Sequence, residues 1–193
     1  RQGERALELM EGVPEFADER LEIWRVTIEV AAIRRSKTSN IEETLIPRLE
    51  LWARNGTPKR TGKWLGWKGN IEYQKGNFKQ AAQLHHQASK LKKEKFAQVS
   101  SLVNSASARL DSFEFNQAIK SATKIEHIAR SIGHPKFEAQ SIWIQRYANY
   151  RLGNYSKPKI ELAYSASKIN SYLYGLYCIC LLYTSDAADE VVG

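Results

Sequence analysis

Four six-residue segments recur along this chain at a nearly constant distance. They read Ser39-Asn40-Ile41-Glu42-Glu43-Thr44, Gly76-Asn77-Phe78-Lys79-Gln80-Ala81, Phe113-Glu114-Phe115-Asn116-Gln117-Ala118 and Gly153-Asn154-Tyr155-Ser156-Lys157-Pro158. Their last residues fall at 44, 81, 118 and 158, which gives spacings of 37, 37 and 40. A half-repeat around Ala6 lies 38 residues before Thr44. A period of roughly 20–50 residues restricts a chain to a stack of supersecondary units, each burying its apolar face only against its neighbours.

Each segment suits a corner between two helices. Gly76 and Gly153 lack a Cβ and tolerate the left-handed conformation that closes a helix, and the Asn or Ser beside them can cap the next one. Bulky Ile41, Phe78, Phe115 or Tyr155 then packs between the paired helices, while small Ala81 or Ala118 lets their backbones approach. A second mark alternates with the first: Gly12-Val13-Pro14, Gly56-Thr57-Pro58 and Gly133-His134-Pro135 each place Gly where a helix stops and Pro where it cannot continue. The matching place between the second and third repeats reads Lys92-Lys93-Glu94-Lys95, which predicts a softer boundary.

Helices are therefore expected near 16–37, 41–54, 61–75, 78–92, 96–111, 115–131, 137–151 and 156–169. Leu21, Trp24, Ile28 and Ala31/Ala32 form an apolar stripe at helical spacing, and Ile142, Tyr147 and Tyr150/Arg151 form a looser one. No run alternates as a half-buried strand does. The expected fold class is all-α, an α-solenoid of helical hairpins.

The segment Gly69-Asn70-Ile71-Glu72-Tyr73-Gln74-Lys75-Gly76-Asn77-Phe78-Lys79-Gln80-Ala81, with Ala88 seven residues on, resembles a tetratricopeptide repeat. Ala148, Tyr150, Leu152, Gly153 and Tyr155 carry the same likeness into the fourth repeat. The period exceeds the family's usual one, and Ala129-Arg130-Ser131-Ile132-Gly133 before Pro135 is similar to the longer repeats of bacterial signalling and transcription-regulatory proteins. Phe113 in place of the corner glycine and Pro158 in place of the small alanine depart from the pattern. The resemblance spans residues 15–170 as about four hairpins. It implies a partial preceding repeat at 1–14 and a truncated next repeat or linker at 171–179.

The family's concave groove commonly holds a peptide or partner helix. By that resemblance Lys63, Asn70, Tyr73 and Gln74 face it from the second repeat, and Trp143, Tyr147, Tyr150 and Arg151 from the fourth. Aromatic residues with Arg suit interaction hot spots, although many such rings pack between repeats instead. Family members that clamp the C-terminal carboxylate of chaperones need Lys and Asn in three consecutive repeats. Asn70 and Asn104 lie near such positions, but Gly66, Gln140 and Ile144 stand where others are required.

Charge is uneven. The 193 residues carry 29 Lys plus Arg against 21 Asp plus Glu, a net of +8. Residues 51–100 hold 11 basic residues and only Glu72 and Glu94, a net of +9, whereas residues 1–50 have a net of −3. A basic middle containing Trp52, Trp64, Trp67 and Tyr73 admits phosphate contacts and base stacking. The plain reading is a solvated helical face on which Lys90, Lys92, Lys93 and Lys95 mark a helix end, where cations suit the dipole. Among partners, a protein or peptide, acidic by complementarity, ranks ahead of nucleic acid.

The run from Cys180 to Glu190, Cys-Leu-Leu-Tyr-Thr-Ser-Asp-Ala-Ala-Asp-Glu, resembles a translated adapter used in DNA sequencing libraries, so residues 180–193 are expected to stand outside the fold. Without them the net charge is +11, from 29 basic and 18 acidic residues. The chain opens on Arg1 rather than Met and is expected to be incomplete at both ends. Cys178 and Cys180 are too close to suggest a disulfide framework, and no apolar run has the length of a membrane span, so a cytoplasmic setting is expected. His85, His86, His127 and His134 lack metal-ligand spacing, and no nucleophile elbow or phosphate-cradling Gly-Lys-Ser/Thr loop occurs. The expected role is a non-enzymatic protein–protein interaction module, scaffolding or regulatory, without metal or cofactor. The alternatives are a basic nucleic-acid-binding repeat, or the non-catalytic part of an enzyme.

Overall fold

The computed structural model describes residues 12–35 and 39–154, with residues 5 and 8–10 ahead of them. Over this span the chain is all-α. Seven helices follow in order: α1 (Glu19–Arg35), α2 (Ser39–Arg54), α3 (Pro58–Gln74), α4 (Phe78–Leu91), α5 (Lys95–Asp111), α6 (Phe115–Ser131) and α7 (Pro135–Arg151). The expected helix at 156–169, the half-repeat around Ala6, and Tyr155, Pro158, both cysteines, 171–179 and 180–193 lie outside the described residues, as does the side chain of Ile41.

From α2 onward every connection has three residues, and each helix packs on the next. α5 also packs on α7, and α1 on both α2 and α3. Helix starts repeat the sequence spacing: 37 residues separate α3 from α5 and α4 from α6, and 40 separate α5 from α7. The longer interval has a local cause, since α6 runs for 17 residues where α4 stops after 14.

Four of the helix ends share one geometry. Gly76 (φ +82°), Phe113 (φ +62°), Gly133 (φ +63°) and Gly153 (φ +78°) are left-handed. At the first, the Asn77 amide donates to the Glu72 carbonyl at 2.9 Å and the Gly76 amide to Tyr73 at 3.0 Å. The same two bonds recur as Glu114 to Arg109 (2.8 Å) with Phe113 to Leu110 (3.1 Å), His134 to Ala129 (2.9 Å) with Gly133 to Arg130 (3.1 Å), and Asn154 to Asn149 (2.9 Å) with Gly153 to Tyr150 (3.0 Å). This pairing satisfies carbonyls that a helix end otherwise leaves open. Phe113 thus takes up the strained conformation that glycine holds elsewhere.

Several local expectations are corrected. Asn77 does not cap α4 with its side chain, which donates to Glu72 Oε2 at 2.8 Å instead. The Lys92–Glu94 boundary is as short as the others, but extended residues rather than a left-handed one turn the chain there. Pro58 and Pro135 open α3 and α7 earlier than the expected 61 and 137, because a residue at the first helical position has no intrahelical use for its N–H.

The apolar stripe assigned to α1 faces outward: Leu21, Trp24 (68% exposed) and Ile28 are in solvent. The opposite face, Glu22, Ile23, Arg25, Val26, Glu29 and Val30, is buried. Both faces carry apolar residues, and the charges on the inner one neutralise each other. Arg25 grips Glu22 with bonds of 2.8 and 2.6 Å and Glu29 with one of 2.7 Å, while Arg48 also reaches Glu29. Burial pushes the Glu22 carboxyl up, but Arg25 and the Phe16 amide at 3.0 Å outweigh it and hold it below the ordinary range. On α7 the buried face is Phe137, Ser141, Ile144 and Ala148, rotated from the expected stripe.

Two apolar clusters form the interior. Ile23, Val26, Val30, Leu49, Trp52, Ala53 and Trp64 join α1, α2 and α3. Val99, Leu102, Ala106, Ala118, Ala122, Ile125, Ala129, Ile144 and Ala148 join α5, α6 and α7. Between them α3 and α4 meet through small residues. A Cβ at Gly62 would lie 3.2 Å from that of Leu91, and one at Gly69 only 2.9 Å from His85 Nε2. The His85 ring is buried in this seam, and its Nδ1 has no hydrogen-bond partner. Burial, reinforced by the charge of Lys92, lowers its pKa to about 4.

Two measurements check these points. Gly76→Ala is expected to destabilise the protein by about 1 kcal/mol, since a left-handed Cβ carries that cost. Phe113→Gly should stay within about 1 kcal/mol of the parent, because relief of that strain offsets the lost contacts with Phe115 and Arg151; urea titrations of both variants decide it. Between pH 6.5 and 4 the unfolded chain binds a proton that folded His85 refuses. Stability should therefore fall as pH drops through that window, by roughly 3 kcal/mol at its foot. His85→Leu should flatten this slope in urea titrations run across the same range.

Candidate functional site

The eight expected groove residues fall in three places rather than one. α3 and α7 share no packing interface, and α5 stands next to α7. At the C-terminal end of α3, Asn70 is half-buried and Gln74 exposed. Tyr73 is fastened there: its hydroxyl donates to Asp111 at the end of α5, and its ring meets Phe78 edge-on with centroids 5.1 Å apart. Tyr73 therefore ties one hairpin to the next, with much of one ring edge still in solvent. Asp111 lies 37 residues after Gln74 and 40 before Arg151, so these three share one register of the repeat. Sequence reasoning missed Asp111, although this spacing was the signal that could have found it.

The second place is the corner between α5 and α6, against which α7 closes. Arg151 lays its guanidinium over Phe115 at 5.1 Å, Phe113 at 5.5 Å and Tyr147 at 5.8 Å, and its Nη1 donates to Tyr147 Oη at 2.9 Å. Tyr147 stacks on Trp143 with centroids 5.5 Å apart and planes 16° from parallel. Both rings are half-buried against the cluster of Val99, Leu102 and Ile144. Trp143 and Tyr147 are thus half-buried in packing, and Arg151 is held against Tyr147 of its own helix and against Phe113 and Phe115 across the corner. Tyr150 is half-buried beside them. Phe113 and Phe115, absent from the expected set, complete this patch, with Phe113 67% exposed.

Lys63 stands apart at the opposite end of α3. It lines a cleft of about 410 Å³ together with Lys59, Lys92, Lys93, Glu94 and Glu19. Lys92 reaches inward: its ammonium donates to Ser101 Oγ, and burial, with Lys63 nearby, lowers its pKa to about 8. From the sequence, Lys92 and Lys93 read with Lys90 and Lys95 as a solvated helix end, because a run of charges carries no sign of which one is enclosed.

The tryptophans of the basic middle are interior residues. Trp52 and Trp64 are buried, and Trp67 stacks on Trp52 at 6.2 Å. Trp52 and Trp64 are thus covered by protein, and Trp67 is half-buried with one face on Trp52, which leaves these rings poor platforms for bases. Among the described residues no group of three or more His, Cys, Asp or Glu is placed to hold a metal, and no helix is long and apolar enough to cross a membrane. Compared with protein-family models and with curated proteins, the chain matches none.

Packing and exposure separate the two kinds of groove candidate. Trp143→Ala is expected to cost about 3 kcal/mol of stability, as large-to-small changes in a packed cluster do. Gln74→Ala, on the open surface, should stay within about 0.5 kcal/mol of the parent. Thermal and urea unfolding of the two variants side by side provide the check.

Proposed function

We propose that the chain is a tetratricopeptide-like α-solenoid of helical hairpins that serves as a protein–protein interaction module, a scaffold or regulatory part of a larger signalling or transcription-regulatory protein. The observation that carries this reading is the register of the corners at Gly76, Phe113 and Gly153. They recur at 37 and 40 residues with the same left-handed residue and the same two closing bonds. A stack of such units is open-ended and leaves one side of its first helices uncovered, which is the surface that repeat proteins use for extended partners. The step from fold to role rests on analogy with that architecture.

In this reading the partner is a protein or peptide, acidic to match the net +9 of residues 51–100. It is met by Asn70 and Gln74 with the exposed edge of Tyr73, and by Phe113 with Arg151. Burial of the tryptophans weakens the nucleic-acid alternative, which is left with charge alone. The chain works in the cytoplasm, performs no chemistry and needs no cofactor.

Screening the chain against a library of acidic peptides, with binding followed by fluorescence anisotropy, tests the reading. The double variant Asn70→Ala, Gln74→Ala should lose about tenfold in affinity for any captured peptide, with its circular dichroism unchanged. Undiminished binding by that variant would remove the α3 surface from the interface.

A further inference from the structure

The geometry points to the lysine-lined cleft between the start of α3 and the α4–α5 connection as a binding site for a phosphate-bearing small molecule. This inference is independent of the interaction role proposed above.

The half-open cleft of about 410 Å³ suits a small ligand rather than a single ion. Four lysines line it, Lys59, Lys63, Lys92 and Lys93, against two glutamates, so two positive charges are left uncompensated. One of the glutamates is already occupied, since Glu19 accepts from Thr57 Oγ1 and lies 4.0 Å from Arg60 Nε. Among the described residues none of the four lysines forms an ion pair. Lys92 is the informative one. Its ammonium is drawn inward to a neutral hydroxyl, Ser101 Oγ, next to Gly66, where a Cβ would come within 3.8 Å of Nζ. Taking a cation out of water without an anion is unfavourable, and a bound anion would remove the penalty.

The backbone favours the same charge. The cleft wall includes Thr57, Pro58 and Lys59 at the opening of α3, and Glu94 and Ala97 at the opening of α5. The Glu94 side chain makes no capping bond to α5. The opening turns of two helices therefore border one cavity, and the partial positive charge of those ends suits a phosphate dianion, with the lysines as point charges. α3 contributes this field rather than free amides, since Pro58 has no N–H and Thr57 Oγ1 accepts from the Arg60 amide at 3.3 Å.

Isothermal titration of the full chain with inorganic phosphate, at constant ionic strength against chloride, tests the inference. Saturable binding is expected. Lys63→Met and Lys92→Met should each weaken it about tenfold or more, as loss of one charge-assisted contact does. Lys120→Met, an exposed lysine on α6, should leave it unchanged. Lys63 is a surface residue, so its variant keeps the test decisive if Lys92→Met alters folding. A glutamate-rich peptide forms the second arm. The site is refuted if phosphate fails to bind, if all three variants bind it equally, or if only the acidic peptide is sensitive to Lys63 and Lys92.

Discussion

Everything in this molecule depends on how a helix can be stopped and reversed within three residues. A helix of 14–17 residues with one apolar face must find cover, and a three-residue connection leaves its sequence neighbour as the nearest surface. The left-handed residue at Gly76, Phe113, Gly133 and Gly153 makes the reversal sharp, and the two amide bonds that follow satisfy the carbonyls left exposed by the stop. Because these corners are short, each helix from α2 onward packs on the next. Phe113 shows how strongly the register is imposed: the chain places a bulky residue in a left-handed conformation rather than give up the corner.

Packing between neighbours then varies along the chain in a way that explains where sites can form. At either end large aliphatic and aromatic side chains fill the interior. In the middle, Gly62, Gly69, Ala81, Ala82 and Ala88 bring α3 and α4 so close that a single buried imidazole occupies the seam. The close approach ends at Leu91, where α4 stops a turn earlier than α6 does, and Lys92 turns in beneath it. A short helix thus leaves both the cleft and the half-buried cation that lines it. Tyr73 and Arg151, at the other ends of α3 and α7, are tied to neighbouring elements while still exposed, alongside Gln74 and Phe113, and Asn70 is half-buried.

Much of the helical layout was legible in advance. The corner segments, the glycine–proline punctuation and the alanines at close approach are local signals, tied to one backbone conformation or one contact distance. The sequence alone nevertheless places the starts of α3 and α7 after Pro58 and Pro135 rather than at them. Rotation of a helix about its axis is less legible. α1 has apolar residues on two faces, and periodicity alone favoured Leu21, Trp24 and Ile28. The other face won because Glu22, Arg25 and Glu29 lie at helical spacing and, with Arg48 from α2 on Glu29, balance to zero, so burying them with Val26 and Val30 leaves no unpaired ion. Residue type is a similarly weak guide on α7: Trp143 and Tyr147 suit an interaction surface, yet rings of that size beside a core are drawn towards it, and both are half-buried there.

By itself the sequence determined that the chain is helical, where its helices turn and at what period, because glycine, proline and alanine act through the backbone within a few residues of where they stand. Only the tertiary structure decided which face of each helix is inside, that Tyr73 reaches Asp111, and that Lys92 alone of its run is enclosed. Those outcomes depend on groups tens of residues apart sharing one desolvated space, where mutual neutralisation of charge and the fit of neighbouring surfaces outweigh the preference of any single residue.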